Sequence, residues 1–184
     1  MNWEPPYSRE KLSLPDEPIL SERLVLRKLC VGDIDTLWLM DSDPDVMEFM
    51  PKIYTDKAAH REEMLKDLNE GEKFKFFRFI DLKENNDPVG WFLFRPTENQ
   101  KWVEIGYRLL ISQWGKGYAT EACRAFISLG FEKWGVKDVM AILSAENRNS
   151  ARVVEKLGLT YRGQTQDYHD MDLAFYLLEN KTAG

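Results

Sequence analysis

Cysteine and histidine are almost absent from this 184-residue chain, which holds only Cys30, Cys123, His60 and His169. Four such groups, far apart and without a C-x-x-C pair, cannot make a zinc site of conventional Cys/His spacing, so no metal is expected. Two cysteines are also too few for the disulfide framework of a secreted scaffold, and reduced thiols in a reducing compartment are expected. No apolar run reaches 18 residues, which argues against a membrane partner. Positive charge is in deficit: 25 Lys and Arg against 31 Asp and Glu leave a net charge of −6. No global positive field exists to draw in a polyanion, so nucleic acid is not the expected partner, whereas a cationic amine suits the surface.

What is present describes a folded domain. Hydrophobic residues make up 43% of the chain, enough at this length to hold a core without staples. Pro5, Pro6, Pro15 and Pro18 stand among charges in the first 18 residues, with no apolar h-region, so residues 1–20 read as an extended arm and 21–184 as a single domain. A cytoplasmic location is expected.

The hydrophobic period changes along the chain. Residues 23–29 alternate as a strand, and Asp33 is placed to cap a short helix carrying Ile34, Leu37 and Trp38, broken at Asp43-Pro44. Asp56 is placed to cap a longer helix ending at Gly71, with Met64, Leu65 and Leu68 inward. The period then becomes 2: residues 74–83 and 88–95 predict an antiparallel hairpin. A third strand at 101–111 puts Val103, Ile105, Tyr107, Leu109 and Ile111 on one face and Trp102, Glu104, Gly106 and Arg108 on the other. A helix from the 113–121 junction to Trp134, a strand at 138–145, a helix at 150–157 and a closing hairpin at 159–178 complete a mixed sheet with helices on its faces.

The sharpest motif is Gly115-Lys116-Gly117 at a strand-to-helix junction. Two glycines let the backbone turn tightly, and the free N–H groups of the first helical turn point at an anion. The same pattern suits an ordinary strand-to-helix turn. A Walker A loop fails because Lys116 is followed by Gly117 rather than Ser or Thr. A dinucleotide loop needs a third glycine where Thr120 stands, and Asp138 precedes a strand instead of ending one. That reading is poor but stays open, and a pyrophosphate loop for coenzyme A is the third.

Trp114-Gly-Lys-Gly-Tyr-Ala-Thr-Glu-Ala122, preceded by Glu104-Ile-Gly-Tyr107 and followed by Asn147-Arg-Asn-Ser150 and Lys156-Leu-Gly158, resembles the GNAT N-acetyltransferases. Within them it most resembles the branch of bacterial ribosomal-protein N-terminal acetyltransferases. The resemblance implies an α+β fold: a central mixed, mostly antiparallel sheet of about six to seven strands with helices on both faces. It implies acetyl-CoA as cosubstrate, its pyrophosphate on the backbone of Gly115, Lys116, Gly117, Tyr118, Ala119 and Thr120. It also implies that the main chain of Leu109, Leu110 and Ile111 pairs with the pantetheine arm, that an amide there polarises the thioester carbonyl, and that the Asn147 side chain bonds the same arm. The implied acceptor is a primary amine, either a protein N-terminus or a small molecule. Dimers occur in that branch, so a homodimer is a further expectation. Val154 stands where many members carry the tyrosine that protonates the departing thiolate. Ser150 is the branch's alternative hydroxyl there, and by its chemistry alone it is a helix-cap candidate.

Acetyl transfer needs a neutral amine, so a group must take a proton. Glu104, on the polar face of its strand beside Gly106, is the first candidate for general base; its bland alternative is a solvated strand glutamate. His169 is the second, at the hairpin position where the resembling branch has a proposed basic group, although Asp167-Tyr-His-Asp170 also reads as a polar turn. Cys123 falls on the helix's apolar stripe and reads as core. The resemblance places residues 43–51 beside the acceptor, with Asp45 and Glu48 available to a cation. An idle acetyl-CoA-binding or sensor module, motivated by Val154, is the alternative to an enzyme.

Overall fold

The computed structural model describes residues 12–99, 101–165 and 173–180. His169 and its neighbours lie outside the described residues. In chain order the elements are β1 (Ile19–Leu20), β2 (Leu24–Arg27), α1 (Ile34–Asp41), α2 (Lys57–Glu70), β3 (Phe77–Leu82), β4 (Pro88–Pro96), β5 (Val103–Leu109), α3 (Tyr118–Lys133), β6 (Asp138–Ser144), α4 (Arg148–Lys156), β7 (Thr160–Thr165) and β8 (Leu173–Glu179). The strand order is β1-β2-β3-β4-β5-β6-β8-β7, a mixed, mostly antiparallel sheet. Among the described residues there are eight strands, against the expected six to seven. The addition is β1, within the proline-rich arm: Ile19 and Leu20 keep the N–H groups that Pro15 and Pro18 lack, and they pair with Leu26 and Val25 as an edge strand.

Two compact units make up the chain. One consists of Leu14–Leu93 with Tyr107–Ala122; the other contains Phe94–Gly106 and the described residues from Cys123 onward. In the first, β2, β3 and β4 form an antiparallel meander, Leu26 opposite Ile80 and Phe79 opposite Trp91. The 3.6-residue spacing of Ile34, Leu37 and Met40 on α1 and Met64 on α2 buries these side chains against Phe79. Asp56 accepts hydrogen bonds from the N–H groups of Ala58 and Ala59, and Gly71 ends α2 in the left-handed conformation. Asp33 does not cap α1 with its side chain. Its carboxylate pairs instead with Arg27, at 2.7 Å from Nη2, and accepts from the Cys30 N–H, one charge-assisted partner and one backbone amide.

In the second unit Phe94, Phe126 and Trp134 interlock with ring centroids 5.6–5.9 Å apart. A fully buried phenylalanine such as Phe126 contributes about 1.5–3 kcal/mol by area. β6 and β8 pair antiparallel from Asp138–Glu179 to Ser144–Leu173. The parallel ladder of β5 with β6 covers only Val103–Val139 and Glu104–Met140. β5 is shorter than the alternation predicted: Ile111 belongs to a 3-10 turn, Ile111–Gln113, that follows the strand.

Candidate functional site

The first unit holds the glycine loop. Gly115 and Gly117 have φ of +74° and +82°, values that L side chains rarely adopt, so both glycines are required by the turn. The first intrahelical bond of α3 runs from the Glu121 N–H to the Gly117 carbonyl. The N–H groups of Tyr118, Ala119 and Thr120 therefore precede the helical ladder and carry the positive end of the dipole. A Cβ built on Gly115 meets nothing within 4 Å, so space lies open on that side.

The loop is fastened from β2. Just ahead of that strand, Arg23 donates from Nε to Glu121 Oε2 at 2.7 Å and from Nη1 to the Lys116 carbonyl at 3.0 Å, and its guanidinium covers the Tyr118 ring at 4.6 Å. Glu121 Oε1 accepts from the Arg23 N–H and the Ser21 hydroxyl, both at 2.7 Å. Burial alone would raise the Glu121 carboxyl; the Arg23 main chain, Ser21 and the guanidinium together hold it below the usual carboxylate range. By local spacing Arg23 is only the start of a strand. Its partner lies 98 positions away, and no local spacing signals such a pair.

The end of β5 belongs to the same unit. Leu110 donates its N–H to the Val89 carbonyl at 3.0 Å, and the Leu110 carbonyl accepts from Gln113. Trp114 donates from Nε1 to the Leu109 carbonyl at 2.9 Å while the residue stays 42% exposed. Successive N–H groups of a strand point to opposite edges, so the Leu109 N–H faces away from β4. Close approach to β4 is enforced at Gly90, where a Cβ would sit 2.1 Å from the Arg108 carbonyl oxygen. Arg108 itself pairs with Asp41, which also bonds His60 Nε2 at 3.0 Å. Both Asp41 and His60 are buried.

Asp45 and Glu48 are exposed on a turn after α1. That turn is closed by Asp43, whose carboxylate accepts from the Asp45 N–H at 2.9 Å.

The second unit holds Glu104, Asn147 and Ser150. Glu104 is not a solvated strand glutamate: it is 8% exposed, and its Oε2 accepts from Arg95 Nε at 2.8 Å. Buried carboxylates are rare without such a partner. Asn147, not Ser150, caps α4, its side-chain carbonyl accepting from the Ser150 N–H at 3.0 Å. The correction follows from helix length: α4 starts at Arg148, so Ser150 is its third residue and Asn147 precedes it. The Asn147 side-chain NH2 is thus the part of that amide left to donate elsewhere. Val154 is buried in the core. Cys123 is fully buried, and burial pushes its thiol far above the ordinary range, which removes it as a nucleophile.

Among the described residues, no group of three or more His, Cys, Asp or Glu side chains is placed to hold a metal ion, and no helix is long and apolar enough to cross a membrane.

Comparison with known proteins finds a matching family model, related sequences and related folds. A family model described as "Acetyltransferase (GNAT) domain" matches residues 23–160. The protein named "uncharacterized N-acetyltransferase p20" of Bacillus licheniformis is 33% identical, over 91% of this chain and 99% of its own. The crystal structure of a GNAT-family acetyltransferase from Bacillus anthracis superposes with a TM-score of 0.77 at 26% identity, covering 89% of this chain and 99% of that one. RimL, a ribosomal L7/L12 alpha-N-protein acetyltransferase solved with coenzyme A, shares the fold at 16% identity, with a TM-score of 0.72 over 89% of this chain and 98% of its own.

Proposed function

The chain belongs to the GNAT acetyltransferase family, an acetyl-CoA-dependent N-acetyltransferase, and from that premise we propose how its own residues carry the transfer and what they act on. The acceptor is a primary amine, either a protein N-terminus or a small cationic molecule. The amine nitrogen attacks the thioester carbonyl carbon, the carbon–sulfur bond breaks, the amine gives up a proton and the thiolate takes one. Glu104 is the group that receives the amine's proton. The observation that supports this most is its setting: a buried carboxylate on β5, with one oxygen fixed by Arg95 at 2.8 Å and the other left to accept.

The donor is held by the chain's main-chain amides. Residues 115–120 present their N–H groups to the pyrophosphate, an arrangement supported by the positive φ of Gly115 and Gly117 and by the open space at Gly115. The Leu109 N–H, on the edge away from β4, is the donor suited to the thioester oxygen as negative charge develops there, with Leu110 and Ile111 framing the pantetheine arm. The family resemblance assigns the side-chain NH2 of Asn147 to the pantetheine arm and the Ser150 hydroxyl to returning the proton to the thiolate. The ribosomal-protein branch, a homodimer and a cytoplasmic location belong to the same reading. The net charge of −6 favours a cationic acceptor, which Asp45 and Glu48 are exposed to receive.

The test is an acceptor screen with mass detection over N-terminal peptides and polyamines, with Glu104→Gln and His169→Ala run beside the wild type. Glu104→Gln is expected to slow turnover by about 10²–10⁴-fold while coenzyme A still binds. Full turnover in Glu104→Gln refutes the base assignment. Bound acetyl-CoA with no acetylated amine in any acceptor refutes the acceptor class.

A further inference from the structure

We infer that Arg23 is a positioning residue for the donor loop, acting through Lys116 and Glu121. The inference rests on the reading of residues 115–120 as the pyrophosphate site. Its first basis is the peptide plane. In a trans peptide the carbonyl and the following N–H point in opposite directions, so the bond from Arg23 Nη1 to the Lys116 carbonyl fixes where the Gly117 N–H points. That peptide joins Lys116 to Gly117, and Gly117, at positive φ, resists a peptide flip less than any other residue would there. The guanidinium, bonded to the Lys116 carbonyl, opposes the flip.

The second basis is charge. Glu121 lies in the first turn of α3, where its carboxylate would repel any anion bound at the helix start. Arg23 neutralises it across 2.7 Å and is itself held charged, its guanidinium raised first by the hydrogen bond to Glu121. Arg23 Nη2 also stands beside the loop, 3.6 Å from where a Gly117 Cβ would be. A fork that bonds a carbonyl and a carboxylate at once, with its face on Tyr118, is a job for arginine that lysine cannot copy.

The role predicts which kinetic constant moves. Arg23→Ala should raise KM for acetyl-CoA about tenfold or more, with kcat at saturating donor within about twofold. Acetyl-pantetheine carries no pyrophosphate, so its kcat/KM should stay within about twofold. Arg23→Lys should fall between alanine and wild type. Adding Glu121→Gln to Arg23→Ala should recover part of the affinity, because the uncompensated carboxylate is then gone.

An unchanged KM for acetyl-CoA in Arg23→Ala, while Gly117→Val loses coenzyme affinity, overturns this inference and leaves the donor-loop reading standing. An equal loss with acetyl-pantetheine means general damage to the fold and also overturns it, and no recovery in the double variant removes the charge argument. A wild type that uses acetyl-pantetheine as well as acetyl-CoA overturns the donor-loop reading itself.

Discussion

Replacing Gly90 with alanine tests the close approach of β4 to the end of β5. The new Cβ would lie 2.1 Å from the Arg108 carbonyl oxygen and 2.8 Å from the Leu109 Cα, and both obstacles are backbone. A carbon–oxygen contact settles at about 3.3 Å, so the strands must part by roughly 1.2 Å at this point. Overpacking of this kind costs about 1–3 kcal/mol, and holding alanine at φ +153° adds about 1–3 kcal/mol. A loss of at least about 2 kcal/mol lowers Tm by roughly 4–8 °C in a chain of this size.

Gly71→Ala is the matched control, because Gly71 has φ +76° but nothing within 4 Å of its Cβ position. It should pay only the backbone strain. Thermal unfolding and coenzyme A titration of both variants separate the two effects. Gly90→Ala is expected to lose more stability than Gly71→Ala and to bind coenzyme A more weakly, since Arg108 and Leu109 are the residues displaced. Equal Tm losses, or unchanged coenzyme A affinity in Gly90→Ala, would refute the reasoning.

Two further outcomes follow from burial and charge. In the native protein a thiol reagent should modify Cys30, which is exposed, and spare Cys123 until denaturant is added; two fast-reacting thiols would contradict the core placement of Cys123. The Glu121 carboxyl lies below its ordinary 4.5 in the folded state, so its bonds to Arg23 and Ser21 stabilise fully above that value and are lost as pH falls through the lower folded value. The Tm difference between wild type and Glu121→Gln should therefore be constant from about pH 8 to 6 and shrink below about pH 4.5; a difference that grows with acid would reverse the sign.

The helices and strands were legible wherever side-chain period and turn chemistry agreed. α2 is the clearest case: Asp56, the inward Met64 and Gly71 mark its start, face and stop, all through contacts within a few residues. The errors lie where a competing bond a few residues away overrides the simplest local rule. Asp33 has the spacing of a cap, yet it serves Arg27 and the Cys30 N–H. Ser150 has the chemistry of a cap, yet the helix begins two residues earlier and Asn147 takes the position. Ile111 continues the alternation of β5, but the strand gives way to a 3-10 turn stitched by the Gln113 and Trp114 N–H groups.

By itself the amino-acid sequence determined the order of elements, the glycine turn before α3 and the motifs that mark an acetyltransferase. Each of these depends on backbone preference or on residues close in the chain. Only the tertiary structure decided what the charged groups do. Glu104 becomes a buried carboxylate because β4 brings Arg95 to it, and the loop before α3 is held by Arg23 because β2 begins beside it. A charge leaves water only when a partner replaces the lost hydration, and that partner is chosen by the fold rather than by spacing along the chain.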